Sequence, residues 1–449
     1  MKTLHLFKTL AFAGIMLLFI SIDPIQLTAQ EVDESHTLTQ SEKQQVVDSI
    51  AKFMREKYVF PDKGNEMGEL VLNNFKAGSY DGISDPRKFA DVLSEDLLTI
   101  NNDRHIGVRY MPERIALMKK SETDENNKEL EELEKREREF SNFNFKEIDI
   151  LPGNVGYLKF NSFMDASVAG ATAVAAMNFL THTDALIVDL TDNGGGSPSL
   201  IQLITTYFFE DTEHLNSFYI REGDKMEQFW TLTYVPGEKL LNTDIYVLTS
   251  SRTFSGAEEF TYNLKNLKRA VIVGETTGGG AHPVAGHIIN DNFIVRVPYG
   301  RAINPITNTN WEGTGIKPDI EVSKQLAKET AYKMALDSLV KKEQNEEIKN
   351  LLAWASKGLQ AKLSPIIIDE KSIKTYTGNY GPRKITYANG ELYYQRDDGP
   401  KMKMIPMSKD LFMFEEIDYF RLQIIVENGK AIAVEGHYDN GSTDRHDRS

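Results

Sequence analysis

Residues 185–198, Ala-Leu-Ile-Val-Asp-Leu-Thr-Asp-Asn-Gly-Gly-Gly-Ser-Pro, decide the fold of this chain. The first six form a short apolar run, which is typical of a strand buried on both faces of a sheet. Three glycines follow, and Pro198 predicts the start of a helix that runs through Tyr207. A strand, a loop and a helix in this order indicate one unit of an α/β core.

The same plan recurs on both sides of this stretch. Residues 155–160 read as a strand and residues 171–180 as a helix, whereas residues 244–249 predict a second buried strand that precedes a helix beginning near Ser255. An amphipathic helical stretch covers residues 324–363. We therefore expect an α/β core over residues 146–335, followed by a helical linker over residues 336–370.

The flanking regions have a different character. Residues 31–118 predict a helical domain, in which Asp85-Pro86 is a helix-start signal, and residues 119–145 form a charged linker. Asn-Gly pairs at 389–390 and 428–429 lie between alternating β-type runs, and Asp439-Asn440-Gly441 indicates a further turn. Residues 371–449 are therefore expected to form a small antiparallel β domain.

The N-terminus predicts export. Lys2 and Lys8 precede an apolar run over residues 10–22, and small residues follow it. This run is shorter than the ~20 residues that span a bilayer, so residues 1–30 read as a cleaved signal peptide, with an uncleaved anchor helix as the alternative. We expect a periplasmic or extracellular protein without stable membrane insertion after cleavage. Its oligomeric state is not readable from the sequence.

Composition narrows the function classes. The 449 residues carry 66 acidic and 51 basic side chains, a net charge of −15 that disfavours nucleic-acid binding. There is no cysteine, which excludes disulfides and a thiol nucleophile. Hydrophobic residues make up 41%, a fraction typical of a globular protein with two or three domains.

Ser255 is a candidate nucleophile with a strong rival interpretation. It follows a predicted buried strand at a helix start, where unpaired helix N–H groups stabilise developing negative charge. However, Ser255-Gly-Ala-Glu258 is also a capping box, and on the local pattern alone the cap is favoured.

Other candidate residues are equally ambiguous one by one. The glycines at 194–196 lack the third glycine of a dinucleotide fingerprint, since residue 199 is Ser, and they lack the lysine of a phosphate loop. They fit either an oxyanion-hole donor or a tight turn. His105 and His282 are candidate bases, although a lone histidine is more often structural. No histidines have metal-ligand spacing, so we predict no metal and no cofactor. Glu312 by itself reads as a solvated turn carboxylate.

Four motifs together resemble the C-terminal processing (tail-specific) peptidase family over about residues 40–335, and most closely its branch with the tricorn core protease and the interphotoreceptor retinoid-binding protein modules. They are Asp-Leu-Thr-Asp-Asn-Gly-Gly-Gly (189–196), Ser-Gly-Ala-Glu (255–258), Val-Gly-Glu-Thr-Thr-Gly-Gly-Gly-Ala-His (273–282) and Glu-Gly-Thr-Gly-Ile-Lys-Pro-Asp (312–319). The resemblance implies a ClpP/crotonase-like core of β-β-α units. The inserted PDZ-type domain of tail-specific enzymes is missing, and the C-terminal domain resembles a small lipocalin-like domain.

By position, the resemblance makes Ser255 the nucleophile and the backbone amides of Gly256 and Gly195 the oxyanion hole. Tail-specific enzymes place a lysine base where this chain has Gly280, so the base implied by the tricorn-like branch is His105, with Glu312 as its acidic partner. His282 is the alternative base.

One position departs from the pattern. The tricorn-like branch has a serine before the histidine, and this chain has Arg104. How His105 is oriented is therefore left open between Glu312 and Asp103.

The resemblance supports two functions. The first is an exported serine peptidase that hydrolyses peptide or protein substrates through a Ser-His-Glu site. The alternative is a non-catalytic binding module for an apolar ligand such as a retinoid or fatty acid, because retinoid-binding members share the fold. All three catalytic residues are present here, so the enzyme is the favoured prediction.

Overall fold

The computed structural model of the chain describes residues 36–120 and 124–449. The predicted signal peptide, residues 1–30, lies outside the described residues. No helix among the described residues is long and apolar enough to cross a membrane.

The N-terminal region consists of helices and one short strand. Asp85 caps α3 by accepting hydrogen bonds from the backbone N–H groups of Arg87 and Lys88, as the Asp-Pro signal predicts. The charged stretch predicted as a linker contains a helix, α5. The elements are α1 (Gln40–Lys57), α2 (Pro61–Lys76), α3 (Pro86–Asn101), β1 (Gly107–Tyr110), α4 (Pro112–Lys120) and α5 (Asp124–Phe140), followed by a 3₁₀ turn at Asn142–Asn144.

The central region contains a six-stranded sheet in the order β12-β8-β7-β4-β3-β2. All neighbours in it are parallel except β2 and β3. The elements are β2 (Phe145–Leu151), β3 (Val155–Phe160), α6 (Ala166–Phe179), β4 (Ala185–Asp189), α7 (Pro198–Thr206), β5 (His214–Ile220), β6 (Lys225–Trp230), β7 (Asp244–Thr249), α8 (Gly256–Asn266), β8 (Ala270–Gly274), β9 (Val284–Ile288), β10 (Phe293–Pro298), β11 (Gly300–Ile303) and β12 (Ile320–Glu321).

Both faces of this sheet are covered, as the apolar run of residues 185–190 predicts. Leu186 and Val188 pack in the core under α6, α7 and α8, whereas Ala185 and Ile187 face the core on the opposite side. Helices α9 (Lys324–Lys342) and α10 (Glu346–Leu363) cover that second side. Successive strand residues point to opposite faces, so one five-residue strand contributes to two cores. The α/β class predicted for residues 146–335 is confirmed.

The helix predicted at 171–180 begins earlier than expected. Helix α6 starts at Ala166, because Asp165 accepts a hydrogen bond from the backbone N–H of Ser167 and caps the helix there. The apolar periodicity of the sequence starts later than the hydrogen-bonded helix.

The C-terminal region is an antiparallel β domain with its own core. Asn389 and Gly390 have φ of 52° and 88°, and Asn428 and Gly429 have φ of 51° and 76°, so each pair forms the two-residue hairpin that the sequence predicts. A four-stranded and a five-stranded sheet enclose the core. The elements are α11 (Glu370–Thr375), β13 (Gly378–Tyr380), β14 (Arg383–Ala388), β15 (Glu391–Arg396), β16 (Met402–Lys403), β17 (Ile405–Pro406), β18 (Leu411–Met413), β19 (Phe420–Glu427), β20 (Lys430–Tyr438) and β21 (Thr443–Asp447).

A small sheet joins the helical region to the central region. Strand β1, which follows α3, pairs antiparallel with β10, and β10 pairs with β9. Phe293, Val295 and Val297 of β10 lie in the same hydrophobic core as α1, α2 and α3. The turn that carries His105 precedes β1 directly, so this pairing fixes its position relative to the central region.

Candidate active site

Ser255 lies at the junction between the loop after β7 and the start of α8. Its φ of 52° and ψ of −121° are unusual for a residue with a side chain, a conformation that costs ~1–3 kcal/mol and is often found at functional sites. The backbone N–H of Ser255 donates to Glu258 Oε2 at 2.9 Å, which is one half of the predicted capping box. The hydroxyl lies within hydrogen-bond distance of a histidine. Helix capping and a reactive hydroxyl are therefore compatible at this residue.

The histidine is His105. Its Nε2 lies 3.0 Å from Ser255 Oγ, although the two residues are 150 positions apart in the chain. Helix α3 ends at Asn101 and is capped by Asn102, which has a φ of 44°, and Asp103-Arg104-His105 forms the turn into β1. The His105 ring is buried and packs against the Phe254 ring with centroids 4.7 Å apart. The structure thus brings the predicted nucleophile and the predicted base together.

Asp103 is a site residue that the sequence analysis did not assign. The carboxylate is fully buried, and its Oδ1 accepts a hydrogen bond from the backbone N–H of His105 at 3.1 Å and lies 3.8 Å from His105 Nδ1. Its Oδ2 accepts hydrogen bonds from His282 Nδ1 at 2.6 Å and from the Tyr58 hydroxyl at 3.1 Å. In the sequence, Asp103 stands two residues before a candidate base, but such a spacing is too common to identify a site residue.

His282, the alternative base, lies behind Asp103. Its Nδ1 donates to Asp103, and its ring contacts Phe60 edge-on. No hydrogen bond joins it to Ser255 among the described residues. This position suits a residue that holds Asp103 rather than one that takes a proton from the nucleophile.

Glu312 lies in the same cluster without a hydrogen bond to His105. Its Oε2 accepts from the backbone N–H of Ala281 at 2.6 Å, and this oxygen is 3.5 Å from His282 Nδ1. The buried Oε1 of Glu312 and Nδ1 of His105 both lack a hydrogen-bond partner within residues 36–120 and 124–449. Each of Asp103, His105 and Glu312 has one atom that could ligate a metal ion, and these three atoms lie within 4.8 Å of one another.

Such a cluster has ligand types that a metal ion could use, but the two oxygens of Asp103 and Nε2 of His105 already have other partners. Both oxygens of Asp103 accept hydrogen bonds, and Nε2 of His105 faces the Ser255 hydroxyl. The arrangement therefore suits proton transfer better than coordination of a cation.

Burial sets the protonation of the cluster. Burial lowers the pKa of His105 to about 4, against the opposing effect of the Asp103 charge. Burial also acts on Asp103, but the hydrogen bond and charge of His282 outweigh it, and the pKa of this carboxyl is lowered. The pKa of Glu312 is raised to about 7 by burial and by the neighbouring Asp103. The site thus holds a neutral base beside one ionised carboxylate.

The two amides predicted to form the oxyanion hole, those of Gly195 and Gly256, differ in their hydrogen bonds. The backbone N–H of Gly195 donates to Asn193 Oδ1 at 2.9 Å, so it is not free to bind an oxyanion in this arrangement. The backbone N–H groups of Gly196 and Gly256, in contrast, make no hydrogen bond to other described residues. These two glycines are in close contact, since a Cβ on Gly256 would lie 2.9 Å from the Gly196 nitrogen. Gly195 and Gly196 are neighbours in one loop, and the sequence pattern does not show which of their N–H groups is free.

Glu258 connects the nucleophile to the second glycine-rich loop. Besides the Ser255 N–H, its buried carboxyl accepts hydrogen bonds from the backbone N–H groups of Gly279 and Gly280 at 2.7 and 2.8 Å. Burial raises its pKa to about 7. The sequence indicates only a helix cap here, whereas the carboxyl also fixes the loop beside His105.

The structure shows what occupies the two positions where the sequence departs from its relatives, Gly280 in place of a lysine and Arg104 in place of a serine. A Cβ on Gly280 would lie 2.2 Å from the Phe254 ring and 2.7 Å from His105 Cε1, so this position has no room for a side chain while His105 is in place. Arg104 donates from Nη1 to the carbonyl of Gly278 at 2.8 Å and lies over the Phe254 ring. Arg104 therefore ties the histidine turn to the glycine-rich loop.

The cleft in front of Ser255 has a volume of about 140 Å³. It is lined by catalytic candidates, by glycines of both loops, by Phe218 and Trp311, and by the carboxyl of Glu259.

Comparison with known proteins gives two adjoining matches. The model of Peptidase family S41 matches residues 154–322, and the model described as the N-terminal domain of peptidase S41 in eukaryotic IRBP matches residues 31–152. Together the two matches extend over more than half of the chain.

Solved structures with detectable similarity include three of different kinds. A lipoprotein from Streptococcus agalactiae is 14% identical, with 66% of this chain and 96% of that chain covered and a TM-score of 0.44. The photosystem II D1 C-terminal processing protease is 16% identical, with coverages of 64% and 95% and a TM-score of 0.41. The tricorn protease is 14% identical, with coverages of 72% and 37% and a TM-score of 0.40.

Proposed function

Because the chain belongs to peptidase family S41 and is a serine-type peptidase, we propose that it hydrolyses peptide bonds with Ser255 as nucleophile, His105 as general base and Glu312 as the acidic partner. The observation that carries this proposal is the 3.0 Å distance between His105 Nε2 and Ser255 Oγ. A nucleophile and its base need this hydrogen-bond contact for proton transfer.

The proposed reaction starts with proton transfer. His105 Nε2 takes the hydroxyl proton as Ser255 Oγ attacks the scissile carbonyl carbon, and it then gives this proton to the leaving amine. A water molecule repeats the two steps and releases the acyl group from Ser255.

Two backbone amides are proposed to stabilise the tetrahedral intermediate. They are those of Gly256 and Gly196, which are free of other acceptors among the described residues. The oxyanion would also face the N-terminal end of α8, where the helix dipole favours negative charge. One such donor typically contributes ~10²–10³ in turnover.

Two carboxylates share the support of His105 in this proposal. Asp103 fixes the histidine backbone and supplies a negative charge 3.8 Å from Nδ1. Glu312 Oε1 and His105 Nδ1 are buried without partners, and the two residues have atoms within 4.8 Å of each other. In this proposal Nδ1–H turns to donate to Glu312 when the imidazolium forms.

The size of the cleft favours a peptidase over the binding module. Small-molecule pockets typically enclose ~300–1,000 Å³, whereas this cleft holds about 140 Å³. That volume suits one amino-acid side chain and is too small for a retinoid or a long acyl chain.

We further propose that the protein is exported after cleavage of residues 1–30, on the basis of the charged and apolar segments of the N-terminus. N-terminal sequencing of the chain from its native cells tests this point. A mature N-terminus near Glu31 is expected, and an intact Met1 would contradict it.

The decisive test of the function is labelling with a fluorophosphonate probe, read by intact mass. The mature chain should gain one adduct, and Ser255→Ala should gain none because the nucleophile is missing. Ser251→Ala is the matched control, since Ser251 is an exposed turn serine near the same helix, and it should label like the parent. Labelling of Ser255→Ala, or no labelling of the folded parent, would refute the assignment.

A further inference from the structure

The active-site cleft continues beyond Ser255 to a second buried carboxyl. Glu259 lies one turn further along α8, and its backbone N–H donates to the Ser255 carbonyl at 3.0 Å. Its side chain is only 3% exposed, yet it lines the same cleft as Ser255. Ser255 and Glu259 therefore border the same cleft.

This carboxyl lacks the partners that a buried charge requires. Glu258 next to it accepts several hydrogen bonds, but Glu259 has only the Asn216 side-chain amide beside it and no ion pair with any described residue. Burial raises the pKa of Glu259 to about 8. A buried carboxyl in this state gains most from a cation that enters the cleft, because the cation replaces the lost hydration.

Its surroundings hold further unused hydrogen-bonding groups. Asn161 lines the cleft, and Asn263 is fully buried on the next turn of α8; the Oδ1 atoms of both lack a hydrogen-bond partner in the described part of the chain. Buried polar groups are normally satisfied, so an unpaired group that lines a cleft points to a polar ligand.

Two aromatic side chains, Phe218 and Trp311, line the same cleft, and the Trp311 indole N–H is used by the carbonyl of Gly280. These rings offer apolar surface, and Asn161 and Arg296 add polar groups to the lining. Apolar ring surface and a carboxyl in one cleft match the aliphatic stem and charged head of a long basic side chain.

We propose that Glu259 determines substrate specificity by binding the ammonium or guanidinium group of a Lys or Arg that directly precedes the scissile bond. One helical turn, ~5.4 Å, separates the nucleophile from this carboxyl along α8, and the stem of a lysine spans that distance. This inference rests on the proposed function of Ser255, because it places the side chain relative to that nucleophile.

The first test compares peptides that differ only in the residue before the scissile bond, namely Lys, Arg, Gln or Leu. With the mature chain, we expect kcat/KM for Lys and Arg to exceed that for Gln by roughly tenfold or more, since a buried charge pair replaces a neutral contact. In Glu259→Gln this ratio should fall to about one, while Glu227→Gln should keep the parent ratio. Glu227 is an exposed glutamate on β6 opposite Phe218 and serves as the matched control.

A second test needs no variant. n-Butylammonium should slow fluorophosphonate labelling of Ser255 in the parent chain, and n-butanol at the same concentration should slow it less, because only the cation pairs with Glu259. Equal protection by the two compounds would overturn the proposal, and so would a parent ratio near one for Lys over Gln. If the folded parent forms no adduct at all, the Ser255 assignment fails, and this inference fails with it. If the parent forms an adduct but shows no preference for Lys or Arg, the role proposed for Glu259 fails and the assignment of Ser255 stands.

Discussion

The arrangement of His105 and His282 separates two roles for two similar residues. His105 Nε2 faces the Ser255 hydroxyl, whereas His282 Nδ1 donates to Asp103, the carboxylate beside His105. At the residue scale, the site is therefore a chain of contacts from Ser255 through His105 to Asp103 and then to His282. These contacts are hydrogen bonds, but His105 Nδ1 makes none: it lies 3.8 Å from Asp103 Oδ1 and has no hydrogen bond to Glu312.

The two histidines should differ in what their removal does. His105→Ala should lower kcat/KM by roughly 10²–10⁴-fold, because the general base is lost. His282→Ala should cause a smaller loss, since Asp103 keeps its other donors, and His282→Asn should restore part of it by offering an amide donor. Steady-state kinetics on a peptide substrate measures both. A greater loss in His282→Ala than in His105→Ala would move the base to His282.

The protonation of His105 predicts the acid side of the pH profile. Its pKa is lowered by burial to about 4, so the imidazole is neutral above that pH and protonated below it. The labelling rate of Ser255 should therefore fall as the pH decreases through about 4. Circular dichroism at each pH separates this loss from acid unfolding. Because the pKa of Glu312 is raised to about 7, Glu312→Gln is measured beside the parent, and a decline near 6.5 in both would contradict the burial argument.

At the element scale, two glycine loops bring the active residues to the end of the parallel sheet. The loop after β4 contacts the start of α8, and the loop after β8 is held to the same helix by Glu258. Gly196 is essential to the first loop, because with its φ of 145° a Cβ would lie 2.1 Å from the Phe163 carbonyl. Backbone atoms cannot move away as a flexible side chain can.

Gly196→Ala should therefore displace the amide proposed to bind the oxyanion. We expect a loss of about 1–3 kcal/mol in the free energy of unfolding and a lower labelling rate at Ser255. Thermal unfolding and probe kinetics measure the two effects. Gly82→Ala is the control, since a Cβ at Gly82 meets no atom within 4 Å. Normal labelling of Gly196→Ala would argue against a role for this amide.

At the scale of the whole molecule, the proposed catalytic site joins two regions of the chain. The helical region supplies His105 and the central region supplies Ser255, and the core around β10 connects them. The C-terminal β domain has a separate core built from residues 373–434 together with neighbouring partly buried side chains. The stability of the first core should therefore affect catalysis, and the stability of the second should not.

A pair of phenylalanines tests this difference. Phe293→Ala in the shared core and Phe412→Ala in the C-terminal core remove fully buried rings, so each should cost about 3–5 kcal/mol of unfolding free energy. Only Phe293→Ala should slow labelling of Ser255 in the folded fraction, because it loosens the contact that positions β1 and His105. Urea unfolding and probe kinetics on both variants check this, and equal labelling rates would show that the shared core does not position the base.

The sequence by itself determined what depends on neighbours in the chain. The buried strand of residues 185–189, the capped start of α3 and the Asn-Gly hairpins of the C-terminal domain all follow from local pattern, because hydrogen bonds within a few residues decide them. The motifs also placed Ser255 and His105 in one site, and their atoms are in contact in the structure.

Only the tertiary structure decided which polar atoms face each other across the site. Asp103 receives its donors from Tyr58, His105 and His282, and Gly195 differs from Gly196 only in where its N–H points. Glu259 lies next to a glutamate of identical chemistry, yet Glu258 accepts a hydrogen bond from the Ser255 N–H, whereas Glu259 lines the cleft. These differences arise because packing brings together groups as many as 179 residues apart and fixes their orientation, which no local pattern encodes.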